Sequence, residues 1–519
     1  MTEDPQAPDV GPEDAGSREA EVLAARRESL ERLDAAGIPA FALSFPQDTW
    51  ADDVQAEFGD RLEPGEESDR RASVAGRVVL ARRIGKLTFL VIRDRTGDLQ
   101  LFCERDTLGD AYDLLEEIDL GDIVGAAGPV VRTKRGELSL KVDSLTMLTK
   151  ALRPLPDKWH GLKDPDLQQR RRYLHLIADE TPRQYFLARA AVLRTMRAVL
   201  DGQGYVEFEG PMLQAVAGGA NAKPFTTHHD ALGVPMKLRI SLELYLKRML
   251  VGGLERVYEI GRNFRNEGID RDHNPEFTML EAYRAYGDYH TMMELSETLV
   301  LACARAVNPL LGRAPDELAI PFHGREVDLT APFERITVLG SVSDAVGEPV
   351  TLDRPDLREL AARHGVGLED AWGPGKIVQE LFEKLVEPTI ERPTFVCDFP
   401  REVSPLARPH RDDPRLTEHF DLVCGGLELV TAFSELTDPI EQRAKLELQQ
   451  QMKDVLGDEA HPLDEEFLRA LEHGMPPAGG LGMGVDRLLM LLTDAPSLRD
   501  LIMFPSHRPE AKGPGDLGA

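Results

Sequence analysis

Two arginine-bearing segments give this 519-residue sequence its clearest chemical potential. The first is Gly261–Glu267, which reads GRNFRNE, and the second is Gly480–Arg487, which reads GLGMGVDR. Glycine-rich or apolar neighbours would hold Arg265 and Arg487 in fixed positions, and two fixed guanidinium groups suit the two ends of a triphosphate. Phe277 adds an aromatic face the size of an adenine ring. Because the sequence has no GxxxxGKS or GxxxxGKT loop, these residues predict ATP binding of another kind.

The stretch from Gly252 to Tyr286, which contains the first segment, resembles one family almost residue for residue. It is similar to motif 2 of the class II aminoacyl-tRNA synthetases, and Gly480–Arg487 is similar to their motif 3. Within that class the sequence resembles the lysyl-tRNA synthetases of the bacterial type. The likeness covers roughly residues 72–509 and continues through Gly218–Ala220, Ile240–Arg248, Val403–Ala407, Phe433–Leu436 and Glu472–Pro477.

The resemblance implies catalytic roles for the two arginines. Arg265 would bridge the amino-acid carboxylate and the α-phosphate of ATP, and Arg487 would hold the γ-phosphate. The other ATP ligands that it implies are Glu267 at the adenine amino group, Phe277 stacked on adenine and His273 at the β,γ-phosphates. Asp421 and Glu428 would bind Mg²⁺, which takes hard carboxylate oxygens and keeps waters and phosphate oxygens as its other ligands.

The implied reaction needs little covalent chemistry from the protein. Amino-acid activation is an in-line attack of a carboxylate on the α-phosphorus of ATP, which releases pyrophosphate. The carboxylate is already ionised at neutral pH, so no general base is required. The protein must hold two anions together and spread the charge of the transition state, which is what fixed cationic groups do.

The resemblance also implies a pocket for a cationic side chain. Glu435 and Tyr283 would meet the ε-ammonium group of L-lysine, and Glu243 with the carbonyl of Gly219 would hold its α-amino group. The same pocket would be lined by Glu281, Thr431 and Phe433, the last packed along the aliphatic stem. Relatives specific for aspartate or asparagine share the architecture, but an anionic substrate needs cations where this sequence has carboxylates. An unpaired buried carboxylate costs about 1–3 kcal/mol or more, so we expect neutral amino acids to be rejected.

Three positions depart from the commonest pattern of the family. Thr431 stands where many members have asparagine, and Asp421 where many have glutamate. Threonine keeps a hydroxyl donor with a shorter reach, and aspartate keeps the charge with one methylene less. Thr437 replaces a usual asparagine nearby. We expect modest effects on affinity and no loss of activity.

Composition is that of an ordinary globular protein, with 42% hydrophobic and 29% charged residues, and the length predicts two to four domains. No run of about 18 apolar residues occurs, and the acidic segment Met1–Pro5 lacks a signal-peptide core, so no membrane association is expected. The four cysteines form no CxxC pair, and they are Cys103, Cys303, Cys397 and Cys424. A cytoplasmic, reduced setting with buried thiols is therefore expected.

The net charge of −29 is unusual for a nucleic-acid-binding protein. Acidic residues are concentrated in residues 1–20 and 51–70, however, whereas basic clusters occur elsewhere. These clusters are Arg82–Arg83, Lys134–Arg135 and Arg170–Arg172. A locally basic face on an acidic protein can still bind RNA, with marked dependence on salt.

The N-terminal third of the chain predicts three segments. Residues 1–17 are expected to be a disordered acidic tail, and residues 18–71 a helical extension whose first helix stops at Gly37. Residues 72–150 alternate as strands do, with expected strands at Ser73–Ala81, Leu87–Arg93, Leu99–Cys103, Ile123–Val131 and Glu137–Leu148. Five strands with one short helix near Ala111–Ile118 predict a five-stranded OB-fold β-barrel.

The resemblance makes this barrel the anticodon-binding domain for lysine tRNA. Phe89 would stack on the central anticodon uridine, and Gln100 and Glu137 would contact base edges. Arg82 would add a phosphate or base contact. A phenylalanine in a strand more often lies in the core, and the alternation around Phe89 leaves open which face it takes.

The rest of the chain predicts an α+β catalytic domain. Residues 151–180 are expected to be a linker, residues 181–510 a class II domain of antiparallel sheet and flanking helices, and residues 511–519 a flexible tail. The expected parts of the domain are motif 1 at about 183–211, motif 2 at about 254–284, a helical insertion at about 353–385 and motif 3 at about 478–495. Motif 1 resembles the segment that forms the family's dimer interface, so a homodimer is expected.

These features predict ATP- and Mg²⁺-dependent activation of L-lysine and its transfer to the 3′ end of lysine tRNA. Two alternatives stay open. The first is a lysine transferase to a non-tRNA acceptor, such as elongation factor P or a membrane lipid. The predicted OB domain argues against the former acceptor, and the lack of an apolar span argues against the latter. The second is a non-catalytic RNA-binding paralogue, against which the intact Arg265, Glu428 and Arg487 argue.

Overall fold

The structure of the protein, a computed structural model, describes residues 12–155, 162–451 and 461–508. The chain divides into two compact units, Met1–Leu162 and Lys163–Ala519. Each unit has its own hydrophobic core. The predicted tail at 511–519 and the first eleven residues lie outside the described part of the chain.

The first unit begins with helix α1 (Pro12–Ala35), followed by α2 (Ala51–Phe58). The predicted boundary at residue 18 is therefore wrong for residues 12–17, which belong to α1. Proline in the first turn and acidic residues near a helix N-terminus both favour an early start. The predicted stop is confirmed, because Gly37 has a φ of 69° just beyond the helix.

Six strands and one short helix follow, namely β1 (Glu67–Ile84), β2 (Leu87–Arg93), β3 (Asp98–Glu104), α3 (Arg105–Leu108), β4 (Ile123–Arg132), β5 (Leu138–Val142) and β6 (Ser144–Thr149). A 3-10 helix at Gly109–Glu116 occupies the place of the predicted short helix. The strands form one sheet in the order β1-β2-β3-β5-β4-β6, with a further pairing between β1 and β4. This is the predicted OB-type arrangement with one strand more than predicted.

The extra strand arises because the predicted strand Glu137–Leu148 is interrupted at Asp143. One end of the long strand β4 pairs with β5, and its other end pairs with β6. The chain must bend between these two pairings, so a single pattern of apolar residues becomes two strands. The alternating pattern alone does not carry this information.

The helices of the second unit are α4 (Pro165–Arg170), α5 (Arg172–Ala178), α6 (Thr181–Gly202), α7 (Glu243–Val251), α8 (Tyr289–Val307), α9 (Val338–Val346), α10 (Leu357–Arg363), α11 (Pro374–Leu385), α12 (Pro439–Gln451), α13 (Glu465–Glu472), α14 (Val485–Thr493) and α15 (Leu498–Leu501). Short 3-10 turns lie at Asn308–Leu311, Glu387–Thr389 and Arg401–Val403. None of the helices in the described ranges is long and apolar enough to cross a membrane.

Its strands are β7 (Val206–Glu207), β8 (Leu213–Gln214), β9 (Thr226–His229), β10 (Val234–Leu238), β11 (Arg256–Phe264), β12 (Glu276–Ala285), β13 (Ala319–Phe322), β14 (Arg325–Asp328), β15 (Glu334–Thr337), β16 (Thr394–Cys397), β17 (His419–Cys424), β18 (Leu427–Ser434) and β19 (Ala478–Gly484). Eight of them form the main sheet, in the order β15-β16-β17-β18-β19-β12-β11-β7. All neighbours from β16 to β11 are antiparallel, as predicted, and the two outermost pairings are parallel.

The predicted linker at 151–180 is corrected by α4 and α5, which belong to the second unit. Asp164 caps α4 by accepting a hydrogen bond from the backbone of Asp166, and Pro165 stands at its first position. The prediction that Arg172 belongs to a basic surface cluster is also wrong. It is fully buried, and its guanidinium group donates to the carbonyl of Arg499 over 2.9 Å.

Other predicted elements fit the structure. Helix α6 spans the predicted motif 1 helix, and α10 and α11 lie in the predicted insertion. Glu402 accepts hydrogen bonds from the backbone of Gly373 and Gly375 at the start of α11. All four cysteines are buried and free, as expected.

The two faces of the main sheet have different roles, which follow from strand periodicity. Leu280 and Ala282 of β12 and Val430 and Ala432 of β18 pack with α6, α8 and α14 in the main core. In the central strand β19, Leu481 and Met483 join that core. Because side chains alternate along a strand, the residues between these pairs, Glu281, Thr431 and Gly482, face the opposite side, where the candidate site lies.

Candidate active site

A cavity of about 280 Å³ lies on the face of the sheet opposite the helical core. Twelve of the fourteen predicted substrate and metal ligands of this unit line it: Gly219, Glu243, Arg265, Glu267, His273, Phe277, Glu281, Tyr283, Glu428, Thr431, Phe433 and Arg487. The two others, Asp421 and Glu435, lie outside the lining and contact it from behind. The sequence thus identified residues that the fold brings together from positions far apart in the chain.

Three glycines of β19 form the floor of this cavity. Gly480, Gly482 and Gly484 alternate along the strand, so all three face the cavity without a side chain. On one side Gly480 pairs with Tyr283 of β12, and on the other it pairs with Phe433 of β18. The missing side chains leave a trough between the two neighbouring strands, which explains why the glycine spacing matters.

The two predicted arginines stand at the open part of the trough. The guanidinium carbon of Arg265 lies 5.1 Å from the centroid of the Phe277 ring, and its Nε donates to the carbonyl of Ile240 over 3.4 Å. Burial lowers the pKa of Arg265, and the charges of Glu267 and Glu428 act in the opposite direction. A partly desolvated cation beside an aromatic ring suits a nucleotide phosphate next to its base.

Arg487 is held at the start of helix α14. Its Nη1 donates to the carbonyl of Glu428 over 3.0 Å, and its Nη2 lies 3.3 Å from Nε2 of His273. The other ring nitrogen of His273 lies 2.9 Å from Oδ2 of Asp270. Asp486, next to Arg487, is buried and accepts a hydrogen bond from the backbone of Thr278 over 2.7 Å. The helix start, and with it Arg487, is therefore fixed to β12.

The closed end of the trough is acidic. Glu243, Glu281 and Glu435 are all buried there. Oε1 of Glu435 accepts no hydrogen bond from any described residue, and a Cβ on Gly480 would overlap this oxygen. A buried carboxylate oxygen beside the cavity with no donor is the arrangement that an ammonium group would complete.

Gly219 lies against the same end with a φ of 92°. A Cβ at this position would come within 2.9 Å of the Ser241 hydroxyl and 3.1 Å of the Glu243 Cβ. Both the backbone conformation and the space therefore require glycine. The contact places Gly219 beside Glu243, as the sequence predicted.

Glu281 positions its neighbours through three hydrogen bonds. Its Oε1 accepts from the Ser241 hydroxyl and from the backbone of Leu242, each over 2.9 Å. Its Oε2 accepts from the Tyr283 hydroxyl over 3.0 Å. Glu281 therefore orients Tyr283 and fixes the start of α7, in addition to lining the cavity as predicted.

Asp421 and Glu428 lie on the adjacent strands β17 and β18, and the charge of Asp421 acts on Glu428. Thr431 pairs with Asp421, and its hydroxyl donates to the Asp421 carboxylate. A three-residue interval would put Glu428 and Thr431 on opposite faces of a regular strand, but a bulge between Val430 and Glu428 lets both line the cavity. Burial and the charge of Asp421 raise the pKa of Glu428.

Replacing Gly480 by alanine is expected to block the acidic end of the trough. The new methyl group would overlap Oε1 of Glu435 and the ring of Tyr283. We expect the KM for lysine to rise by about 10- to 100-fold, since an error of about 1 Å in a binding geometry has effects of this order. The KM for ATP should stay unchanged. Steady-state ATP–pyrophosphate exchange measures both constants.

Gly367→Ala provides the matched control, because a Cβ at Gly367 would meet no atom within 4 Å. An equal rise in both KM values for Gly480→Ala would contradict the position that the family resemblance implies for a lysine side chain.

The affinity for lysine is expected to increase with pH. Burial raises the pKa of Glu281 to about 7 and that of Glu435 to about 8, and it also raises the pKa of Glu243. With these raised pKa values, we expect an ammonium ligand to displace protons from the carboxyl groups near pH 6, so binding should be weaker there than at pH 8. For one displaced proton the affinity changes by up to about tenfold per pH unit. Titration calorimetry between pH 6 and 8.5 would show this slope, and a flat profile would contradict it.

The exposed face of the first unit carries the predicted anticodon ligands. Thr88 and Leu90 are buried, so Phe89 lies on the other face of β2, which settles the question left open by the sequence. Its ring stacks on Phe102 of β3, with centroids 5.3 Å apart and planes 20° apart. Arg82 pairs with Phe89 across β1 and β2.

Gln100 and Glu137 lie near this aromatic pair along the sheet. Gln100 is on the same face of β3 as Phe102 and donates to the Ser139 hydroxyl over 2.8 Å. Glu137 is exposed just before β5. Sequence reasoning missed Phe102, although the alternation of buried Leu101 and Cys103 in β3 could have placed it outward.

Comparison with known proteins identifies both units. The second unit matches the family of class II tRNA synthetases for D, K and N over residues 164–508, and residues 72–148 match the OB-fold nucleic acid binding domain. A lysine–tRNA ligase of Moorella thermoacetica is 46% identical over 497 residues, which cover 95% of this chain and 99% of that protein.

Two further relatives show the same extent of similarity. A lysine–tRNA ligase of Thermosynechococcus vestitus is 46% identical over 96% of this chain and 99% of its own length. One of Xanthomonas oryzae pv. oryzae is 45% identical over 98% of this chain and 100% of its own length. The chain belongs to the class II tRNA synthetase family and, within it, to the lysine–tRNA ligases.

Proposed function

We propose that this protein uses ATP to activate L-lysine and then transfers the lysyl group to the 3′ end of lysine tRNA. The observation that carries the choice of lysine is the buried Glu435, whose Oε1 lies beside Gly480 without a hydrogen-bond donor among the described residues. An ammonium group completes this site, whereas a neutral or anionic side chain leaves the charge unpaired. Family membership supports the reaction itself.

The first step joins the lysine carboxylate to the α-phosphorus of ATP and breaks the bond to pyrophosphate. Arg265 holds both the carboxylate and the α-phosphate, and Arg487 with His273 holds the far end of the triphosphate. Phe277 stacks on adenine, and Glu267 accepts from its amino group. These fixed groups hold the two anions in line and stabilise charge that increases in the transition state.

Lysine lies in the acidic end of the trough in this proposal. Its ε-ammonium group meets Glu435 and the Tyr283 hydroxyl, and its α-ammonium group meets Glu243 and the carbonyl of Gly219. The aliphatic stem packs on Phe433, with Thr431 near the carboxylate. Glu281 holds Tyr283 in place, as its hydrogen bond shows.

Asp421 and Glu428 are proposed to bind Mg²⁺. They lie on the two adjacent strands of one hairpin, and among the described residues no third His, Cys, Asp or Glu side chain completes a metal-binding group with them. Two carboxylates suit Mg²⁺, because this ion takes one or two protein carboxylates together with waters and phosphate oxygens. When bound, Mg²⁺ neutralises phosphate charge in the transition state. Thr431 orients Asp421 through its hydroxyl, so two of the departures from the family pattern contact each other.

In the second step, a terminal ribose hydroxyl of the tRNA attacks the carbonyl carbon of lysyl-adenylate, and AMP leaves. The stacked pair of Phe89 and Phe102 supplies an aromatic platform for unpaired anticodon bases. Arg82, Gln100 and Glu137 provide polar contacts around it.

Replacing Phe89 by leucine is expected to weaken tRNA recognition only. Loss of base stacking costs about 1–3 kcal/mol, which corresponds to a rise in the KM for tRNA of about 10- to 100-fold. Lysine-dependent pyrophosphate exchange without tRNA should stay unchanged. Aminoacylation kinetics with a lysine tRNA transcript give the first value, and a matched loss of exchange activity would argue that Phe89 is structural instead.

A homodimer formed through motif 1 is also proposed. Large apolar side chains in this region are more than 40% exposed, namely Leu187, Val206, Met212 and Leu213. β7, which contains Val206, is an edge strand of the main sheet. Exposed apolar residues on an edge favour association. Light scattering should give twice the chain mass, and a monomer would contradict the proposal.

Charging of tRNA is the direct test of the proposed function. Radiolabelled lysine should become acid-precipitable with lysine tRNA and ATP, and the bond should break in mild base as an ester does. Lysine activation without charging of any tRNA would favour another acceptor. Absence of both reactions would overturn the proposal.

A further inference from the structure

Lys247 is a fully buried lysine directly behind the acidic end of the trough. It does not line the cavity. Its Nζ donates to Oε1 of Glu243 and lies 2.5 Å from Oε2 of Glu435. These are the two carboxylates that the proposed function assigns to the two ammonium groups of lysine.

Helix α7 places this ammonium group between the two carboxylates. Glu243 and Lys247 are one helical turn apart and therefore share a face of α7. The rings of Phe433 and Phe467 lie 5.5 and 5.9 Å from Nζ. The ammonium group is shielded from solvent, so its charge acts strongly on Glu243 and Glu435.

Counting charges shows what Lys247 contributes. The pocket has three buried carboxyl groups, Glu243, Glu281 and Glu435, and Lys247 contacts the first and the last of them. When all three are ionised, two positive charges are still needed to balance them. L-lysine brings two ammonium groups, and its carboxylate is balanced by Arg265 in the proposed function. Without Lys247 the same pocket would lack three charges, and a carboxylate would have to keep a proton.

We infer that Lys247 is a positioning and specificity-determining residue, which sets the charge of the pocket so that a dicationic amino acid completes it. Its charge opposes the rise that burial causes in the pKa of Glu243 and Glu435, and its contacts orient both carboxylates, while Oε1 of Glu435 stays free for the substrate. This inference rests on the proposed function, because it assigns the missing charges to bound lysine.

Among the described titratable groups packed around Lys247 and Glu435, Lys247 is the cation closest to Glu435. Burial lowers the pKa of His461 to about 4, so this ring is neutral at physiological pH. Lys445 of α12 donates to the carbonyl of Ala407 over 3.0 Å and lies 3.4 Å from Glu441 instead. The hydroxyl of Tyr283 is held by Glu281.

Lys247→Met tests the inference through pH dependence. Burial already raises the pKa of Glu435 to about 8, and removing the cation raises this pKa further, so a larger fraction of the carboxyl is protonated at pH 7 and it ionises only at higher pH. We expect the KM for lysine in pyrophosphate exchange to rise by about 100-fold relative to the unchanged protein at pH 7. The ratio of the two KM values should fall to about tenfold or less at pH 9, and the KM for ATP should stay within about twofold.

Two further variants separate charge from packing. Lys445→Met removes another largely buried lysine and should leave the pH profile unchanged. Lys247→Arg keeps the charge and should keep the midpoint of the profile, even if a larger side chain lowers activity. If Lys247→Met does not fold, Lys247→Gln provides the same comparison.

An equal rise in the KM for lysine at every pH would show a purely structural role and would overturn the inference, as would an unchanged KM. A shifted midpoint in Lys247→Arg would also overturn it. Failure of the proposed function is distinguishable, because the unchanged protein would then not exchange pyrophosphate with lysine at all.

Discussion

Glu435→Gln is expected to abolish efficient use of lysine while ATP binding stays intact. The amide has nearly the same shape but no charge, so the ε-ammonium group would lose its main counter-ion in a site without water. Its NH2 group would also face the ammonium of Lys247, which lies 2.5 Å from the present carboxylate. We expect kcat/KM for lysine to fall by about 1000-fold, in line with the cost of leaving one member of a buried ion pair unpaired.

ATP–pyrophosphate exchange at saturating ATP measures this loss, and equilibrium dialysis measures ATP binding separately. Glu391→Gln is a suitable control, because Glu391 is exposed and its carboxylate lies 3.3 Å from the guanidinium group of the exposed Arg325. Equal losses of lysine use and ATP affinity in Glu435→Gln would show that the substitution damages the site as a whole.

Arg265→Ala is expected to lower the rate of activation by about 1000-fold or more, the order of effect seen when a preorganised charge is removed from a transition state. Arg265 would contact both reacting partners, so both positioning and charge stabilisation are lost together. Arg265→Lys should restore little, because an ammonium group cannot form the planar, two-pronged contact of a guanidinium group. Pre-steady-state formation of lysyl-adenylate measures the chemical step directly.

Arg262→Ala is the matched control for this variant. Arg262 lies near the end of β11, three residues before Arg265, is partly exposed, and has its guanidinium group 3.6 Å from Glu276. We expect its removal to change the rate by less than about threefold, as for most exposed ion pairs. If Arg265→Ala also changed the rate by less than about threefold, the role given to Arg265 would be contradicted.

The residues selected from the sequence mostly line one cavity, whereas several of the predicted segment boundaries are wrong. The spacing of Gly480, Gly482 and Gly484 and the alternation along β12 and β18 are local patterns, and the sheet converts them into one trough. The order of the strands is not a local property, and here the family resemblance supplied it. Asp143 shows the limit of local patterns. The chain bends there because β5 pairs with one end of β4 and β6 pairs with the other, and no local pattern records these pairings.

Two features of the site depend on tertiary structure that no spacing reveals. The bulge before Glu428 puts this residue on the same face as Thr431, which strand alternation alone would forbid. In the sequence, Lys247 looks like an ordinary cation on a short helix of mixed polar and apolar residues. Only the packing of α7 against Phe433 and Phe467 shows that its charge is buried behind the substrate carboxylates.

The face of β2 and β3 gives an intermediate case. Burial of Thr88 and Leu90 decides that Phe89 points outward, and the sequence could not distinguish this from the opposite register. Once Phe89 is placed, strand pairing also places Phe102 beside it. Once it is known which face of β2 Phe89 occupies, strand pairing therefore predicts the platform of two aromatic rings.

The central claim is that the trough activates lysine because its buried carboxylates need two ammonium groups. ATP–pyrophosphate exchange with each of the twenty amino acids, with Mg²⁺ and without tRNA, tests this most directly. We predict exchange with lysine alone. Exchange with aspartate or asparagine, or with no amino acid, would contradict the account.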